Sequence, residues 1–130
     1  MRSEVRSDSR LFRALSRALL EQGIAVRFRA MGRSMFPAIK DGDVVEIEPV
    51  SAHAQGDVVL LQSADGFRAH RVVGFNGEQL TTRGDSCSEG DGVCNPDSIL
   101  GRVTAVLTTQ GRRTPHTLRT RLRHMLSRLR

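Results

Sequence analysis

The sequence predicts a mainly β protein, a compact and strongly bent multi-stranded sheet or partly open barrel, flanked by an amphipathic helix at each end. Three observations point there. Short segments alternate apolar and polar residues with the period of a half-buried strand, as in Ile24, Val26, Phe28 and Ala30 against Ala25, Arg27, Arg29 and Met31. Turn signals of the hairpin kind, Asp65-Gly66 and Asn76-Gly77, punctuate the middle of the chain. Helical periodicity is found only near the two termini. A length of 130 residues fits one domain, of a size that buries about two-thirds of its unfolded surface.

The elements follow in order. From about Asp8 to Gln22, Leu11, Leu15, Ala18, Leu19 and Gln22 share one helical face with Phe12 beside it, and Gly23 supplies the stop. That face is expected to pack on the body. Strands are expected at 24–31, at Val44–Glu48 (ended by Pro49), at Val58–Gln62, at Phe67–Phe75, at Glu78–Arg83 and at Ile99–Thr108. Residues 84–98 read as a polar, Gly-rich loop. Thr114-Pro115 opens a second helix in which Leu118, Leu122, Met125, Leu126 and Leu129 form one stripe among arginines. The expected organisation is a helix in 1–23, a β domain in 24–109 and an Arg-rich helix in 110–130.

Charge is unevenly spread. The formal net charge is +6, yet residues 112–130 hold seven arginines and no acid, leaving 13 basic and 14 acidic groups in residues 1–111. Basicity therefore belongs to the tail, which suits an anionic membrane surface as partner. At about 14 residues the tail helix can lie on a bilayer but not cross it. Packing against the core, or against another chain, is the plainer reading of the same stripe. With five Phe and no Trp or Tyr, base stacking is poorly supplied, and nucleic acid is disfavoured as a partner. No run of the chain is apolar enough to span a membrane, and arginines at 10, 13 and 17 interrupt any secretory leader. The expected location is the cytoplasm, with peripheral membrane contact through the tail. Cys87 and Cys94 are then reduced, although they bracket Asp91 closely enough for a short disulfide in an oxidising compartment. They make a poor zinc signal without a neighbouring histidine.

The chemistry centres on Gly32-Arg33-Ser34-Met35-Phe36-Pro37, followed by Gly42-Asp43. A serine between a glycine and a Met-x-Pro step sits in an unusual backbone that can expose its hydroxyl. A hydroxyl needs a base within hydrogen-bond reach, and His70, in His70-Arg71-Val72-Val73, has the right intrinsic acidity. Alternation sets His70 on one face of its strand with Arg68, Val72 and Gly74. Phe67, Ala69, Arg71, Val73 and Phe75 make the more apolar face, so His70 is expected to point away from the core toward a cleft. Lys40 is the only lysine and lies six positions after Ser34, beyond Pro37, a poor place for a base. His53, His116 and His124 sit in a loop or the tail and take no role.

Thr82-Arg83-Gly84-Asp85, with Asp91 six residues after the first acid, completes an ordered set over about residues 24–107 that resembles the type I signal peptidase superfamily. Within it the chain is similar to the archaeal and endoplasmic-reticulum branch, where histidine replaces the usual lysine base. The resemblance implies a serine endopeptidase with Ser34 as nucleophile, His70 as general base and Asp91 as orienting acid. Asp85 supports the loop, with the two acids open to exchange. Backbone N–H groups of Arg33 or Ser34 would form the oxyanion hole, and Gly32 supplies no hydroxyl donor there. The resemblance further implies an extended peptide or protein substrate held as an added strand, with small side chains before the cut and Met35 and Phe36 lining pockets. No cofactor or catalytic metal is required. The loop Ser86-Cys87-Ser88-Glu89-Gly90 departs from the branch, which favours asparagine after the first acid, and no run of these residues is expected to serve as the membrane anchor usual in signal peptidases. Two other readings stand beside this one: a self-cleaving LexA-type relative, which wants a lysine base, and a non-catalytic module binding anionic lipid or nucleic acid through the tail. The sequence does not fix the oligomeric state.

Overall fold

The computed structural model describes residues 10–63 and 66–115. The expected C-terminal helix, Leu118 to Leu129 included, falls outside the described residues, as do Asp65 of one expected turn and the first residues of the expected N-terminal helix. One helix, α1 (Arg10–Glu21), precedes eight strands: β1 (Val26–Arg29), β2 (Val44–Glu48), β3 (Val58–Ser63), β4 (Gly66–Asn76), β5 (Gln79–Arg83), β6 (Val93–Cys94), β7 (Ile99–Thr108) and β8 (Gly111–Arg113). The expected strands are all present. The expected loop 84–98 also holds β6 and a single 3-10 turn at Pro96–Ser98.

All strands join one antiparallel sheet in the order β1-β2-β7-β3-β4-β5-β6, with β8 also on β7. The path has two free ends, so the sheet does not close. β7 is long enough to pair with β3 through Ile99–Arg102 and then with β8 through Val106–Thr108, while β2 runs along Arg102–Leu107.

The run Val58-Val59-Leu60-Leu61 has no polar alternation because both faces of β3 are covered. Val58 and Leu60 enter a core with Phe12, Leu20, Phe28, Val45 and Val106. Val59 and Leu61 enter a second one with Val72 and Leu80. Aromatic edges tie the first core together: Phe12 meets Phe28 at 5.2 Å and Phe28 meets Phe67 at 5.5 Å, both near perpendicular. Each such pair contributes about 1 kcal/mol beyond its buried area.

That aromatic chain corrects the expected packing face of α1. Phe12, Ser16 and Leu20 point inward, while Leu11 and Leu15 stay 69% and 51% exposed. The helix is turned by one residue position, because the Phe12 ring buries more surface than a leucine and finds the Phe28 edge. The expected faces of β4 hold only in part. Phe67 and Ala69 pack against the first core and His70 lines a cleft, but His70 is itself buried, Val72 on its face enters the second core, and Phe75 on the expected core face is 51% exposed.

Candidate active site

Ser34 sits in the turn that joins β1 to β2, and short-range bonds hold this turn. Ala30 N–H donates to Asp43 O at 2.7 Å and Gly42 N–H to Ala30 O at 2.8 Å. The Asp43 carboxylate accepts from Lys40 N–H at 2.8 Å, and Asp41 Oδ1 accepts from Gly32 N–H at 2.8 Å. Gly32 has a φ of +86°, a conformation side chains rarely adopt, which explains the glycine before the serine. Phe36-Pro37 is a cis peptide. Lys40 is exposed, with its backbone engaged by Asp43.

His70 is placed by β4, opposite Val59 of β3. Its side chain is 6% exposed, and Nδ1 lies 2.5 Å from Asp91 Oδ2. An ionised carboxylate only accepts, so Nδ1 is the donor, and in the neutral ring the lone pair is then on Nε2. Thr82 Oγ1 donates to the same Asp91 oxygen at 2.9 Å, and Asp91 N–H donates to Thr82 O at 2.8 Å. Arg68 Nη1 approaches the other oxygen at 3.5 Å. The carboxylate is thus fixed from three sides.

Gly84 is where the histidine and serine segments meet. A Cβ placed on it would lie 2.6 Å from Ser34 O, 3.0 Å from His70 Nε2 and 2.8 Å from Cys87 Sγ. His70 Nε2 and the Ser34 carbonyl therefore both flank the space beside Gly84, which only a residue without a Cβ leaves open. Ser86 ties the two segments together, its N–H donating to Ser34 O at 3.0 Å and its hydroxyl to Arg33 O at 2.5 Å. Because a trans peptide sets C=O and N–H in opposite directions, the Ser34 N–H points away from Ser86.

Ser34, His70 and Asp91 all line one cleft of about 470 Å³, together with Gly32 and Met35. Phe36 is not among the lining residues. It is 41% exposed, with the Arg33 guanidinium 5.3 Å above its ring. Asp85 is directed elsewhere: Arg71 Nε and Nη2 grip its two oxygens at 2.8 and 2.7 Å, and the same guanidinium donates to Gly56 O and Pro115 O.

Cys87 and Cys94 are free thiols. Burial, reinforced by the Asp91 charge, raises the Cys94 thiol above its ordinary range and keeps it protonated. Burial also lowers His53, against the pull of Asp57 and with the help of Arg102. Among the described residues no group of three or more His, Cys, Asp or Glu is set to hold a metal ion, and no helix is long and apolar enough to cross a membrane.

The model of the Peptidase S24-like family matches residues 4–103, which take in the serine turn, the histidine strand and both acids. The chain belongs to the Peptidase S24-like family. No curated protein matches it. The Peptidase S24-like assignment supports a serine peptidase of LexA-like fold, in keeping with the open antiparallel sheet.

Sequence reasoning missed the parts of this site that act through position. Thr82 and Gly84 belong to a quoted motif yet were read only as its frame. Arg71 was passed over because it follows His70. The signal was available in the strand period, since successive residues of β4 face opposite ways and two acids near them must serve opposite faces.

Proposed function

We propose that this protein is a serine endopeptidase in which Ser34 attacks the peptide carbonyl, His70 takes its proton and Asp91 orients the imidazole. Neutral His70 Nε2 accepts the Ser34 proton as the Oγ–C bond forms. The resulting imidazolium is stabilised by Asp91, which stays ionised. Collapse of the tetrahedral intermediate breaks the C–N bond, and His70 returns the proton to the departing amine. Water then repeats the sequence on the acyl-enzyme, releasing the acid and restoring the hydroxyl. The Ser34 N–H, directed away from Ser86, with the N–H of Arg33 beside it, would meet the developing oxyanion. Asp85, bound to Arg71, supports the loop and takes no proton.

The observation that carries this reading is the His70–Asp91 contact in a cleft that Ser34 also lines, with His70 Nε2 and the Ser34 carbonyl both close to Gly84. It also favours histidine over Lys40 as base. A fluorophosphonate probe should label the wild-type protein and leave Ser34→Ala unlabelled. Equal labelling of the two proteins would remove Ser34 as nucleophile. If the chain cuts itself while leaving added peptides intact, the LexA-type reading replaces the endopeptidase one.

A further inference from the structure

We infer that the peptide accepted by this cleft carries an acidic side chain next to an apolar one, with Arg29 and Arg68 as the residues that select it. The inference rests on the serine peptidase reading of the same site and names its class of substrate.

The floor of the cleft is apolar, built from Phe28, Met35, Ile39, Val45, Leu60 and Phe67. Its lining includes two basic residues, Arg29 and Arg68, and a single acidic one, Asp91. Asp91 is already committed, since one of its oxygens receives both His70 and Thr82. With His70 neutral, the cleft bears an excess of positive charge.

Most other arginines of the sheet are matched. Arg27 and Arg112 share Glu46, Arg71 holds Asp85, Arg102 faces Asp57, and Arg113 faces Asp43. Arg29 differs. It is exposed at the end of edge strand β1, and among the described residues it has no carboxylate partner, only the Gly42 carbonyl at 3.1 Å. One carbonyl uses one of five N–H donors, leaving the planar fork free for a carboxylate. Arg68 is 42% exposed and reaches Asp91 only at 3.5 Å, too long for a strong bond. Two under-used arginines in the lining of an apolar-floored cleft favour a ligand with both characters. Low-dielectric walls strengthen that preference by concentrating the field in the cleft.

The test uses Ser34→Ala protein and fluorescent peptides of equal length that present an apolar residue beside Glu, Gln or Lys. Anisotropy should show the Glu peptide bound about tenfold more tightly than the Gln peptide, the scale of one charge-assisted contact. Adding Arg29→Gln should erase most of that ratio, and Arg29→Glu should turn the preference toward Lys. Equal affinity for the Glu and Gln peptides, or binding of anionic vesicles with none of the Glu peptide, overturns the inference. Probe labelling of wild-type Ser34 separates the two readings. Labelling without acidic preference leaves the peptidase standing and sinks the substrate class. Acidic preference without labelling does the reverse.

Discussion

Asp85 and Asp91 stand six residues apart, and each closes on a basic side chain of β4, yet the two pairs suit opposite tasks. Arg71 holds Asp85 through two parallel bonds of 2.8 and 2.7 Å and adds the carbonyls of Gly56 and Pro115. A guanidinium keeps its charge at any working pH, so this pair is a permanent clamp. His70 meets Asp91 through one nitrogen and has the other beside Gly84, in a residue that lines the cleft. An imidazole can take and give a proton, so in the proposed mechanism this carboxylate orients the ring and stabilises its charged form. What separates the two acids is the strand period, which points His70 and Arg71 to opposite sides.

Breaking each pair in turn tests the contrast. His70→Ala should reduce peptide hydrolysis to background. Asp91→Asn should lower kcat about a thousandfold or more while thermal unfolding shifts little. Near-normal turnover in Asp91→Asn would make the second pair a clamp as well. Asp85→Asn should act the other way, costing about 3 kcal/mol of stability in a denaturant titration because the Arg71 charge is left buried. Its kcat should fall far less than that of Asp91→Asn once the protein is folded. Arg71→Met combined with Asp85→Leu should recover part of the stability, since paired removal leaves no stranded charge.

Gly84→Ala probes the space between the two acids' territories. The new methyl would meet the Ser34 carbonyl and the His70 ring, and a shift of about 1 Å there should cost roughly a hundredfold in kcat/KM. A stability loss of similar origin should stay near about 1–3 kcal/mol. Unchanged kinetics would show that the gap is not needed for proton transfer.

A third carboxylate sharpens the structural side of the comparison. Hydrogen bonding from Arg112 holds Glu46 below the ordinary carboxylate range, with Arg27 helping and burial opposing. A group depressed in the folded state stabilises above its unfolded pKa and loses that contribution as pH falls through the folded one. Wild-type melting temperature should therefore exceed that of Glu46→Gln at neutral pH, with the difference shrinking from about pH 5 downward. A constant difference across that range would remove Glu46 from the acid response.

How much of this was legible in the sequence depended on what each residue answers to. β2 and β7 were readable to the residue, because alternation and flanking Pro or Gly mark strands wherever packing agrees. β6 and β8, of two and three residues, have too little period to show. The orientation of α1 was lost for a different reason. Leucines at 11, 15 and 19 make the better-looking stripe, but the Phe12–Phe28 edge contact is between elements and has no local trace. Within the site, residue types with distinctive chemistry were visible: Ser34, His70 and Asp91. Thr82 was not, since a threonine in a strand looks like any other β-former. Its role comes from the hairpin that returns Asp91 beside it.

β3 has both faces covered, dividing the interior into two cores, and His70 lies across the ladder from its Val59. Neither core can come apart without disturbing this strand. Its amide protons should consequently be among the last to exchange with deuterium, needing the whole molecule to open. The imidazole is thus mounted beside the most slowly opening part of the chain, while Ser34 rides on a turn kept in place by its own short-range bonds and by Ser86.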